Sequence, residues 1–531
     1  MANANVNYTN IPKEKFEFVN LGSKLSDKKF DDKPIGYFRD AWIRFRKSRA
    51  SVIAAIIILC IILYSFIAPL LVRNHTDTFM CNVYAKKPAR IAALAEYGIF
   101  NGSVDINPQD AGLINMIAIG MGAEDPEGRG DVTFGKGMES EYQPIIKIVD
   151  SFVQEMPGNK TATYYPSKAD SYLQVGFLYR TIEQSEYQNI INWEKETGLK
   201  VVYPLVEDNE WNPDSSNANY WYKARTRGLV PVRLTAGGTA KTITYDPDNP
   251  DMTLEDNYKR DGEGNPIYFQ YVGGGDFNTA QFKVRVLYYN YYQYLYGSTP
   301  DYFLGTDAQG YDLGLRIAGG IKLSLFIAVT VSVINFVLGA IYGAIEGYYG
   351  GTIDIVLERV SDILSGVPFI VVATLFQIHL AKQVGAIPSL LFAYVLTGWI
   401  GTAYRVRSQF YRFKNSEYVM AARTLGARDR RIIWKHIFPN SLGTLITSSA
   451  LVIPSTILSE SNLSFLGIVK LGSAEGTSLG TLLADASSIW TNYPHLMIYP
   501  AVVISLLMIC FNLFGNGLRD AFNPALRGVE D

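Results

Sequence analysis

Cysteine and histidine are scarce in this chain. Three cysteines in 531 residues, Cys60, Cys81 and Cys510, cannot make a disulfide framework; two lie inside apolar runs, which leaves Cys81 unpaired in the polar middle region. The four histidines, His75, His379, His436 and His495, fall on separate segments, so no metal-binding cluster is indicated. The phosphate-cradling run G-x-x-x-x-G-K-[ST] is missing, since GGTAKT at residues 237–242 lacks its Gly-Lys pair. No nucleophile, base and orienter pattern stands out either. The expectation is a chain that is not an enzyme, binds no cofactor or metal and has no ATPase site. An apolar signal-peptide core is also lacking: the first forty residues are polar, and residues 1–49 are expected to form a cytoplasmic tail.

What is abundant is apolar length, unevenly placed. Residues 50–72 form one run of about the twenty residues a spanning helix needs, preceded by Arg39, Arg44, Arg46, Lys47 and Arg49. Basic flanks stay on the cytoplasmic side, which sends the next segment outside. Five further runs, near 321–348, 353–380, 389–404, 443–466 and 496–518, make six spans, so both termini are expected in the cytoplasm. Residues 74–300 hold 29 acids and 20 bases, a balance of −9; the rest holds 21 acids and 28 bases, +7. That segregation fits a chain facing two sides of a membrane.

The long polar segment, residues 73–303, reads as an extracytoplasmic α+β domain between spans 1 and 2. Helix-like pieces at 91–100 and 186–198 accompany strand-like pieces at 201–206 and 241–246. Its end, VLYYNYYQYLYG at 286–297, suits either a stacking surface for ligand or an amphipathic helix at the membrane interface. Gly339, Gly343 and Gly347 in the second span suit close helix packing.

The most charged stretch between apolar runs is residues 417–440, EYVMAARTLGARDRRIIWKHIFPN. Nine bases from Arg405 to Lys435 against Glu417 and Asp429 keep it cytoplasmic, in agreement with the span count. Ala421, Ala422, Gly426 and Ala427 recur at roughly helical spacing and leave a shallow face for another protein's backbone. Pro439 is expected to break this helix from the span that comes after it.

Four blocks then carry a resemblance. LGTDAQGYD at 304–312, EGYYGGTIDIVLERVSD at 346–362, the 417–440 stretch, and ESNLSFLG at 460–467 with FNLFGNGLRDAFNP at 511–524 resemble, in order, the signatures of C-type permeases of binding-protein-dependent oligopeptide, dipeptide and nickel importers. The third is similar to the EAA motif of that family. Met420 departs from its usual Glu, Phe438 from Leu, and Tyr311 from the Arg of the first block. The resemblance covers residues 304–526 and implies an all-α six-span core of the type I importer kind. It says little of the inserted domain.

It also implies partners: a second permease subunit, two cytoplasmic ATPases that bind ATP and magnesium, an extracellular substrate-binding lipoprotein and membrane lipid, with no nucleic acid. On that reading the 417–440 helix docks on an ATPase through Ala421, Ala422, Gly426 and Ala427. Arg423 and Arg428, with Arg430 and Arg431, either ion-pair at the rim or merely set topology. Acids in spans are costly unless partnered, so Glu460 is expected either to line the path or gate or to be a hydrogen-bonded structural group. Glu358, Arg359 and Asp362 are expected to be ion-paired. The substrate would be oligopeptides in a bacterial cell membrane, with dipeptides, nickel or another small solute as the alternative. From another class, a membrane-anchored enzyme or sensor acting through the outer domain competes.

Overall fold

The structure is a computed structural model, and it describes residues 37–72, 79–95, 97–110, 142, 144–150, 152–158, 160–207, 218–219, 223–224, 231–234, 240–242, 258–274, 280–469, 471 and 477–522. A short basic helix, α1 (Tyr37–Lys47), precedes the first apolar helix, α2 (Arg49–Leu71). Between α2 and the remaining apolar helices lies a β-containing region. Strands β1 (Ser103–Asp110), β2 (Ile145–Ile148) and β3 (Phe152–Met156) all pair antiparallel with the long β4 (Lys160–Asp170). After β5 (Phe177–Glu183) comes α3 (Gln184–Thr197), closed by Gly198 in the left-handed conformation. Next come β6 (Val202–Tyr203), the small β7 (Lys223–Ala224), β8 (Pro231–Leu234) and β9 (Ala240–Thr242) sheet, β10 (Phe269–Gly273) and β11 (Gln281–Leu287). In the second sheet β11 is central, between β10 and β5. Of the two helix-like pieces the second is α3, whereas 91–100 holds only the single turn Ala92–Ala95. The strand-like piece at 241–246 is seen as far as Thr242, its remainder lying outside the described residues.

The first half of the tyrosine-rich segment is core, while its end, Leu295 and Tyr296, is exposed. The segment's residues end β11 and form α4 (Tyr288–Tyr296), where Tyr288, Tyr289, Tyr291 and Tyr292 are buried. With Tyr84, Tyr172 and Tyr302, the residues Tyr288, Tyr291 and Tyr292 build the core of the β-containing region, rings meeting 5.0 to 5.9 Å apart around Tyr84 and Tyr172. Burial raises the Tyr302 hydroxyl pKa far above the usual value, so the core carries phenols and no phenolates. Cys81 is buried there too, with Sγ 3.2 Å from the Tyr288 hydroxyl.

Among the described residues, five helices are long and apolar enough to cross a membrane: α2, α5 (Leu313–Tyr349), α8 (Ala386–Phe413), α10 (Asp429–Phe465) and α12 (His495–Phe522). The expected third span is the exception. It is split into α6 (Gly351–Ser365) and the short α7 (Phe369–His379). Pro368 removes a backbone donor and pushes Val367 out of helical geometry, which ends α6 before the apolar run is over. Two short helices, α9 (Glu417–Thr424) and α11 (Leu479–Ala486), lie between these spans.

Packing tracks the small residues. A Cβ on Gly339, Gly343 or Gly347 would run into the α8 backbone at Trp399, Ala403 or Arg407, so α5 and α8 touch almost backbone to backbone. The first signature block is the clasp between the two regions. Asp312 caps α5, its carboxylate accepting the N–H groups of Gly314 and Leu315 at 2.8 and 3.2 Å. Burial pushes its pKa up to about 6. Asp307 accepts three N–H bonds of 2.9 Å from Gln309, Gly310 and Tyr311. Gly305 and Gly310, with φ of +82° and +97°, lie so close to Lys87 and Cys81 that no side chain fits. Tyr311, standing where the motif has Arg, is stacked by Arg316 at 4.5 Å.

Candidate coupling surface

Residues 417–440 do not form one helix. α9 ends at Thr424, and Gly426 turns the chain with φ +79°. The Gly426 N–H bonds to the Arg423 carbonyl and the Ala427 N–H to the Ala422 carbonyl, both at 3.0 Å, which is the double bond of a Schellman cap. Gly426 and Ala427 therefore build the turn instead of extending a shallow helical face, which corrects the expectation of one continuous face. Pro439 needs a correction as well. It follows directly on the π-helical turn Ile432–Ile437, and α10 runs through it from Asp429 to Phe465. The break is at Gly426.

The elbow between α9 and α10 is anchored on one side and open on the other. Val419, Ile432, Ile433 and Ile437 are buried against Ala340 and Ala344 of α5 and against Val406 and Phe410 of α8. Asp429 accepts the Tyr348 hydroxyl at 2.6 Å, and the Arg423 guanidinium lies 5.9 Å from the Tyr348 ring. The outward side carries Met420, Ala421, Arg423, Gly426 and Arg428, with Ala422 half-buried. At its apex Leu425 is 88% exposed. The root of α10, Ile432–Ile437, is π-helical, a form frequent at functional sites.

Beside the elbow lies an ionic cluster. Arg407 of α8 grips Asp354 of α6 bidentately at 2.7 and 2.9 Å, meets Glu358 at 2.8 and 3.0 Å, and lies 3.7 Å from Glu346 of α5. Tyr411 also donates to Asp354. Arg359 and Asp362 pair at 3.0 Å on the exposed side. The acids of α6 are thus paired as expected, but nothing local in the sequence pointed to Arg407, about fifty residues away. Leu425 was likewise missed, although an apolar residue before a Gly is what a helix C-terminus looks like.

Glu460 is 1% exposed within this chain. One carboxylate oxygen accepts Ser464 at 2.9 Å and Ser478 at 2.6 Å, the other Ser324 at 3.2 Å. Ser478 also caps α11, accepting the Thr481 N–H at 3.1 Å. The side chain thereby cross-links α5, α10 and α11. Of the two expected roles, this geometry matches the hydrogen-bonded structural group.

Comparison with known proteins bears on the same elements. Residues 336–528 match the model of the binding-protein-dependent transport system inner membrane component, and residues 36–86 match that of the N-terminal TM domain of oligopeptide transport permease C. The oligopeptide transport system permease protein OppC of Bacillus subtilis is 38% identical over 229 residues, covering 43% of this chain and 73% of that one. The chain belongs to this permease family. The dipeptide permease DppC of Bacillus subtilis is 40% identical, covering 43% and 70%, and OppC of Haemophilus influenzae is 42% identical, covering 42% and 70%. An inward-facing structure of the MetNI methionine ABC transporter overlays on 39% of this chain and 96% of its own, with 16% identity and a TM-score of 0.33, too distant to carry detail. The permease is therefore a membrane-embedded transport subunit of an ABC importer, and the enzyme or sensor reading falls away. Residues 87–335, which contain most of the β-containing region, lie outside both family matches.

Proposed function

We propose that the permease forms half of the membrane path of an ATP-driven oligopeptide importer. A second permease subunit supplies the other half, an extracellular binding lipoprotein delivers the peptide, and two cytoplasmic ATPases drive the cycle through the elbow. One observation carries this reading: the exposed elbow, with Leu425 at its apex, is the root of a helix that continues to the Glu460 cross-link. At 1.5 Å per residue, Asp429 and Glu460 are about 45 Å apart along that helix, so a displacement at one end is felt near the other. Both termini then face the cytoplasm and residues 73–303 face outside, a placement supported by the basic loop at 405–435 and the acidic balance of 74–300. ATP and magnesium belong to the ATPases.

Dipeptides are the second substrate reading, favoured by the similarity to a dipeptide permease. Uptake of labelled dipeptides and longer peptides by the reconstituted transporter, with and without its binding protein, tests both. Oligopeptide uptake that requires the binding protein is the expected outcome, and its absence with every peptide length defeats the reading.

A further inference from the structure

The N-terminal helix α1 has a face that the transport cycle leaves unexplained. Its inner side is fixed: Ala41 and Phe45 are buried against Ala521 of α12, and the Phe45 ring meets Phe514 edge-on at 5.5 Å. The chain leaves the helical path at Ser48, with φ −80° and ψ 99°, so α1 is not the start of the spanning helix α2 but a separate piece at its end. Gly517 makes room there for Ser51, whose hydroxyl donates to the Leu513 carbonyl at 3.2 Å. The outer side mixes two chemistries. Trp42 is 60% and Ile43 41% exposed, and Arg39, Arg46 and Arg49 are exposed around them.

Residues 37–49 hold five bases and one acid, Asp40, which is paired with Arg44. Indole, an aliphatic side chain and arginines together on a helix at the end of a span match the zone between acyl chains and headgroups. A surplus of fixed positive charge in that zone attracts anionic lipid. Among the described residues of α1, Asp40 is the one acid and is engaged by Arg44, so the exposed face carries net positive charge.

We infer that α1 is an interfacial helix that holds anionic phospholipid headgroups, with Arg39, Arg46 and Arg49 as the charges and Trp42 as the anchor, and so tethers the adjoining end of α12 to the membrane. The inference rests on the orientation given above only for which leaflet supplies the lipid.

The test uses the complete transporter in nanodiscs of brominated phosphatidylcholine or brominated phosphatidylglycerol. The contribution of Trp42 is isolated by comparison with the Trp42→Phe variant. Stronger quenching by the anionic lipid, weakened by salt, is the expected result. Removing the three arginines together as glutamines is expected to reduce retained phosphatidylglycerol by about five-fold for each arginine, whereas the three-lysine variant keeps it. The lysine variant guards against a change in the orientation of α2. Equal quenching by the two lipids, or full retention of phosphatidylglycerol in the glutamine variant, overturns the inference. Peptide uptake, measured separately, would be untouched by that result as evidence for transport.

Discussion

At the scale of single residues, the decisive positions are those whose partners come from far along the chain. Arg407 faces Asp354, Glu358 and Glu346 from two other helices, and its own side chain is only 15% exposed. Arg407→Ala leaves those carboxylates without their cation and is expected to cost about 3 kcal/mol, read as a lowered Tm of the purified complex. Arg407→Lys keeps the charge but loses the fork, and should fall between. Glu460→Gln offers a sharper choice. If the carboxylate only joins Ser324, Ser464 and Ser478, the change weakens the fold by about 1–2 kcal/mol, and uptake per folded transporter stays near normal. Lost uptake at unchanged Tm would return Glu460 to the path.

At the scale of elements, the elbow separates what builds the surface from what presents it. Gly426 sets the turn, so replacing it disturbs the cap before any partner is involved. Ala421 and Leu425 are exposed and can be changed with the turn left in place. Ala421→Trp and Leu425→Asp are expected to cut peptide uptake and substrate-stimulated ATP hydrolysis at least ten-fold, about 1.4 kcal/mol of coupling, with expression and Tm unchanged. Normal stimulation in both variants would remove the elbow from the coupling route. The small-residue pattern was legible in the sequence, but its shape was not. Ala421 to Ala427 at helical spacing suggests one face, and only the positive φ of Gly426 divides it.

For the whole molecule, the β-containing region is joined to the membrane helices through the clasp at 304–312 and the segment at 80–90. Cutting out residues 80–295 would remove half of that clasp. Excising residues 103–287 and linking the ends keeps it, and tests the idea that this region shapes the docking surface for the binding protein. The expected outcome is weakened binding of that protein with the membrane core still assembled, checked by co-purification. Unchanged docking and uptake would make the region a platform instead.

What the sequence determined by itself was whatever depends on local composition: apolar length for the five long helices, motif order for the family, and glycines for close packing. These properties act over one or two turns or by their summed hydrophobicity, and they survive without knowledge of neighbours. Tertiary structure decided the unbroken passage of α10 through Pro439, the burial of the tyrosines and the pairing of Arg407 and Glu460. Those depend on which distant groups are brought within a few ångströms, where burial makes an unpaired charge or hydroxyl expensive and a paired one stable. A proline breaks a helix or merely begins a turn of it according to what surrounds it, and that is not written next to it in the chain.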